Sequence, residues 1–167
     1  RLVIYKPDNG QYTSQEIFSL DQAIYDISWS CDQNYLAFLV AGKNIVPASV
    51  GEPEDEGQKL VVLNMKHDIV AEIPDARKYV WNPISNQLAA IVGDYIEPGF
   101  RSRHMALLDV SKPSQAIIPY KALDLFWAMH DHRIYFEDSS STIYVCDPEN
   151  KSVAPTNFKG ICFSPDG

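Results

Sequence analysis

The residues densest in chemistry lie between 41 and 59, AGKNIVPASVGEPEDEGQK, where Glu52, Glu54, Asp55 and Glu56 fall within five positions. Carboxylates at that density suit a hard cation or a basic partner. Calcium loops require fixed ligand spacing and Pro53 interrupts the run, which favours a solvated acidic loop over a metal site. A second stretch, GDYIEPGFRSRH (93–104), sets Tyr95 and Phe100 beside Arg101 and Arg103. Aromatic side chains with arginine form the composition of interface hot spots. The plainer reading is an insertion packed over its own element, with its arginines in water.

Other candidates carry less. His130 and His132 flank one residue in a polar run, so as a turn they point apart, and no further His or Cys lies nearby in the repeat. The SSS run at 139–141 reads as a short polar turn. The chain has no G-x-S-x-G elbow and no glycine-rich phosphate loop, and its many carboxylates include no pair singled out by spacing. No catalytic residue, metal or cofactor is therefore expected, and a protein partner is the favoured ligand class.

Bulk properties agree with that. The chain has 167 residues, 46% hydrophobic and 22% charged, which reads as soluble, globular and long enough for one core or several repeats. A formal charge of −8 argues against broad attraction to nucleic acid or anionic lipid. No run reaches ~18 apolar residues, so no membrane insertion is expected, and no signal-peptide pattern opens the sequence. Cys31, Cys146 and Cys162 are odd in number and widely spaced, a lean toward a reducing, cytoplasmic compartment.

The elements that must carry these stretches emerge from an internal repeat. ISWSCDQNYLAFLVAG, YVWNPISNQLAAIVGD and LFWAMHDHRIYFEDS align on Trp29, Trp81 and Trp127, each followed seven residues later by Leu36, Leu88 or Ile134. Polar turn formers separate the two, the pattern of strand, reversal and strand. A second pattern follows each: KLVVLNMKHDIVAEI (59–73), HMALLDVSKPSQAII (104–118) and TIYVCDPENKSVAPT (142–156), with turns near Asn64, Asp109 and Asp147. The opening RLVIYKPDNGQYTSQEIFSL is a fourth example, its turn placed near Lys6. One repeat is thus a four-stranded meander, strands a to d.

Spacing locates the variation. From the strand c turn to the next aromatic the distance is 17, 18 and 16 residues, whereas from strand b to that turn it is 28, 21 and 13. Length variation falls in the b–c connection, as expected when stacked repeats share a core and work through one face. Four-stranded units of this length predict an all-β chain: a partial β-propeller of about three and a half antiparallel blades, a window of a six- to eight-bladed ring. A β-sandwich is the alternative, but it has no reason to repeat the seven-residue spacing. The expected divisions are 1–25 for the second half of a blade, 26–78, 79–123 and 124–159 for whole blades, and 160–167 for the first strand of the next. There Phe163 takes the tryptophan position and Ser164-Pro165-Asp166-Gly167 the turn.

FSPDG at 163–167, with its degenerate counterparts WSCDQNYLAF and WNPISNQLAA, resembles the WD40-like repeat of TolB-type propellers, also present in the propellers of prolyl oligopeptidase and dipeptidyl peptidase relatives. Only the last copy has the full Ser-Pro-Asp-Gly, and WAMHDHRIYF has lost it. The resemblance implies the fold and transfers no catalytic residue. The expected function is a non-catalytic binding or scaffold module presenting the 41–59 and 93–104 loops on one face. The alternative is an accessory propeller of a larger serine peptidase whose catalytic domain lies outside the chain. A lyase or glycosidase working at the central channel is a third reading, with Asp26 and Asp124 as candidates by position, though backbone bonding at the d–a turn suits them better. Unpaired edges at either end imply that the chain continues, or associates, to complete a ring.

Overall fold

The computed structural model describes residues 1–158 except 20, 46–53, 57, 98–99 and 113, and for 6–7, 43–45, 54–56, 94–97, 100–102 and 114 the main chain alone. Phe163, Cys162 and the terminal turn lie outside the described residues.

Strands β1 (Leu2–Asp8) and β2 (Gln11–Phe18) form an antiparallel pair. Asn9 and Gly10, both at positive φ (48° and 83°), make its turn, the backbone a two-residue hairpin requires. Lys6 lies within β1 opposite Thr13, so the turn falls at Asn-Gly and not near Lys6.

Three four-stranded meanders follow. The first comprises β3 (Ile24–Trp29), β4 (Tyr35–Val40), β7 (Lys59–Asn64) and β8 (Ile69–Pro74), with β5 (Lys43–Ile45) and β6 (Glu54–Glu56) paired between its second and third strands. The second is β9 (Ala76–Trp81), β10 (Gln87–Glu97), β11 (Phe100–Asp109) and β12 (Ser114–Lys121). The third is β13 (Asp124–Trp127), β14 (Ile134–Glu137), β15 (Ile143–Cys146) and β16 (Val153–Pro155).

The seven-residue spacing is a cross-strand pair. Trp29 lies opposite Leu36, Trp81 opposite Leu88 and Trp127 opposite Ile134. In each hairpin the amide after the tryptophan donates to the carbonyl before the aliphatic: Ser30 to Tyr35, Asn82 to Gln87 and Ala128 to Arg133, at 2.8–2.9 Å.

Stacking explains why YLAFLV, KLVVLN and QLAAIV read as continuous apolar runs. Alternate residues of β4 and β7 face opposite neighbours: Leu36, Phe38, Val40, Val61 and Leu63 cover the β1–β2 pair, while Ala37, Leu39, Leu60 and Val62 meet the second meander. The second meander repeats the device, with Leu88, Ala90, Ala106 and Leu108 turned back and Ala89, Ile91, Met105 and Leu107 turned forward onto Leu125, Ile134 and Phe136. The middle strands of the first two meanders are buried on both faces, so alternation of apolar and polar residues disappears there. Among the described residues every core lies between units, the packing of propeller blades.

Candidate functional site

Within the stretches 41–59 and 93–104 the described residues include paired strands that prolong the b–c connections. In the first blade β5 pairs β6 with Lys43 opposite Glu56, Asn44 opposite Asp55 and Ile45 opposite Glu54; Glu52 lies outside the described residues. In the second blade β10 pairs β9 only through Val92, yet continues against β11, placing Gly93 opposite Arg103, Tyr95 opposite Arg101 and Glu97 opposite Phe100. The Arg103 carbonyl accepts the Ala122 amide at 3.3 Å, tying the ribbon base to the strand that follows. In the third blade the same connection is a tight turn in which Asp138 Oδ1 accepts the Ser140 and Thr142 amides at 2.8 and 2.9 Å. By strand direction both ribbons leave the same face on adjacent blades.

The first strands of successive blades lie side by side and are joined by polar contacts. Strand β3 shifts register between Tyr25 and Ser28, and Asp26 within the bulge has φ 52°. The Tyr79 hydroxyl, from β9, contacts the Asp26 carbonyl, the Ala37 carbonyl at 2.8 Å and Ser28 Oγ at 2.8 Å. Burial pushes its pKa up to about 12, with the Asp26 charge adding to the shift and the Ser28 hydrogen bond opposing it. Lys78 pairs with Asp124, whose Oδ1 also accepts the Leu125 amide at 2.7 Å. Of the two aspartates considered at the channel, Asp124 engages the Leu125 amide and Lys78 through its carboxylate, whereas Asp26 meets the neighbouring strand through its main-chain carbonyl.

The opposite face is built by side-chain-capped turns. Asp32, Asn82 and Asp131 in the a–b turns, and Asn64, Asp109 and Asp147 in the c–d turns, each accept the amide two residues on at 2.8–3.1 Å. Asn86 Nδ2 reaches across to Asp32 Oδ2 at 2.7 Å and joins the first two blades. That bond first, then those from the Asn34 amide and Ser30, hold the Asp32 carboxyl well below the usual carboxylate range. Between blades two and three the turns diverge around a cleft of about 690 Å³ lined by Asn82, Asn86, Asp109, Asp131, Arg133 and Asp147. Its residues come from four turns spread over 68 positions, and spacing gave no signal for it.

His132 sits in one of these turns at φ 58°, its carbonyl accepting Trp127 Nε1 at 3.0 Å. Among the described residues no group of three or more His, Cys, Asp or Glu is placed to hold a metal ion. Cys31 is an exposed thiol and Cys146 a buried one, its pKa pushed up to about 11 by burial and then by the Asp147 charge. No helix among the described residues is long and apolar enough to cross a membrane.

No protein-family model matches the chain, and no curated protein matches it in sequence. Solved structures do. The β-propeller domain of the Trilobed protease from Pyrococcus furiosus, described as having an open velcro topology, superposes with TM-score 0.58 at 14% identity over 80% of this chain and 41% of that one. The tricorn protease superposes with TM-score 0.56 at 11% identity over 94% of this chain and 19% of its own. The chain therefore spans less than half the length of either structure. At such identities the likeness is one of fold, and together with the stacked meanders it makes the chain an all-β, open portion of a β-propeller.

Proposed function

We propose that the chain is a non-catalytic binding module that presents its two b–c ribbons to a protein partner. The observation that carries this reading is the extension of the b–c hairpin in two adjacent blades and its contraction to a tight turn in the third. Extra chain that leaves the stacked core on one face adds surface without contributing to the interblade contacts. The two ribbons also differ in charge, Glu54, Asp55 and Glu56 on one and Arg101 and Arg103 on the other, which suits a partner with both signs on its surface. A photocrosslinker at Tyr95 should capture that partner, one at Ile117 should not, and trimming both ribbons should abolish capture. Retention of every partner by the trimmed chain would sink the reading.

A second reading is that the chain belongs to a larger peptidase as its accessory propeller. Its support is that the two structures named above are from proteases and each is more than twice as long as the matched portion. Adjoining sequence would then encode a nucleophile elbow followed by Asp and His. Adjoining sequence without these elements removes this alternative.

A further inference from the structure

Each blade meets the next through one row of side chains that crosses its four strands. In blade one the row is Ser28, Ala37, Val62 and Ala71, and it meets blade two. In blade two it is Val80, Ala89, Leu107 and Ala116, and it meets blade three. In blade three the same row is Phe126, Tyr135, Val145 and Ala154. The second strand thus supplies alanine twice and then a tyrosine, whose ring stacks on Phe126 at 5.5 Å and whose hydroxyl donates to Asp131 Oδ2 at 2.6 Å.

The first strand of the following blade covers each row with two side chains, the one in the tryptophan position and the one two places before it. Tyr79 and Trp81 cover the row of blade one, the Tyr79 hydroxyl donating to the Ala37 carbonyl at 2.8 Å. Leu125 and Trp127 cover that of blade two and are 1% and 7% exposed, with Trp127 sharing a recess with Leu107 and Ala116. Ile27 and Trp29 hold these positions in blade one, but the pair in front of them has only two strands, and they are 49% and 40% exposed. Alignment on the tryptophans assigns the same two positions after blade three to Ile161 and Phe163.

Beyond β16 the main chain already turns onto this face. The Thr156 amide and Oγ1 both donate to the Ile143 carbonyl, at 2.8 and 3.0 Å, and the Phe158 amide donates to Thr156 Oγ1 at 3.2 Å. The Phe158 ring then lies 6.1 Å from that of Tyr135, and the two residues between it and Ile161 let the chain travel no more than about 11 Å. Ile143, on the same side of β15 as Val145, is 1% exposed yet belongs to none of the three described cores. We propose that residues 161–163 of this chain dock across the aromatic row of blade three and form a fourth junction, with Ile161 over Tyr135 and Ile143 and Phe163 over Val145 and Ala154. Ile161 reaches less far than Tyr79 or Leu125 and leaves the room that Tyr135, in place of alanine, requires. The occupant is the chain's own tail, and this contact is independent of the partner reading above.

The test is NMR on the full chain with labelled methyl groups and aromatic rings. Nuclear Overhauser contacts are expected from the Ile161 methyls to the Tyr135 ring and from the Phe163 ring to the Val145 methyls. Relative to their intrinsic rates, the amides of 161–163 should exchange at least about tenfold more slowly than those of 166–167. In an equal mixture of labelled and unlabelled chains, isotope-filtered spectra should show no such contacts between chains. Contacts that do pass between chains make a second copy the occupant and overturn the proposal. Phe163→Asp should abolish the contacts and bring exchange at 161–163 to within about twofold of that at 166–167, while the amides of β4 and β7 keep their wild-type rates. The wild-type spectra decide the matter even if that variant does not fold. Absence of either contact, exchange at 161–163 as fast as at 166–167, or unchanged contacts in the folded variant each overturns the proposal.

Discussion

Tyr79 places a hydroxyl where two blades meet, against the Asp26 and Ala37 carbonyls and Ser28 Oγ. Its phenol titrates at about 12 in the fold against an ordinary value of 10. The folded chain therefore holds the phenolic proton more tightly, so the associated stability is complete below pH 10 and is lost as pH rises from 10 towards 12. Tyr79→Phe should cost about 1–2 kcal/mol in denaturant melts at neutral pH. The difference between wild type and variant should shrink across that alkaline window, and a difference constant with pH would contradict the assignment. Nothing in the sequence singled out Tyr79. Its partners lie 42 to 53 residues upstream and include a carbonyl exposed by a bulge, which periodicity does not register.

Strands that pack on both faces carry the stability, and the effect of a substitution follows from which neighbour its face meets. Phe38 is fully buried in β4, its ring 5.1 Å from that of Phe18 in the preceding unit. Phe38→Ala should cost about 3–5 kcal/mol. Ile27→Ala, at a side chain 49% exposed on β3, should stay within about 0.5 kcal/mol. Chemical denaturation of the two variants separates a loss of packing from a general effect of shortening a strand residue. At this scale the sequence was legible where register repeats: a tryptophan and an aliphatic seven apart are opposite residues of one hairpin. It was misleading at Lys6, because the adjacent proline drew attention from the Asn9-Gly10 turn. The ribbons escaped recognition as strands because EDE and FRSR lack apolar alternation, the signal by which strands are read. The cleft between blades two and three escaped it entirely, since its lining is assembled by stacking of turns that are distant in sequence.

The described residues form three interblade cores in series, one between β1–β2 and the first blade and one at each later junction. Stability in such an array is close to a sum of units and nearest-neighbour interfaces, so it is not shared evenly along the chain. Blades one and two are clamped between two cores, whereas the β1–β2 pair and blade three each contribute to one of the described cores. The outer side of blade three is aromatic: Phe126 stacks on Tyr135 at 5.5 Å, and Tyr135 meets the exposed Phe158 at 6.1 Å. Native-state hydrogen exchange should accordingly find the slowest amides in β4, β7, β10 and β11, with β1–β2 and β16 opening first. Phe38→Ala removes packing at the first core only. It should raise exchange in β1–β2 strongly while leaving β14 and β15, two cores away, close to their wild-type rates. Equal acceleration along the whole chain would mean that the blades unfold as one cooperative body, and the serial account of their packing would then fail.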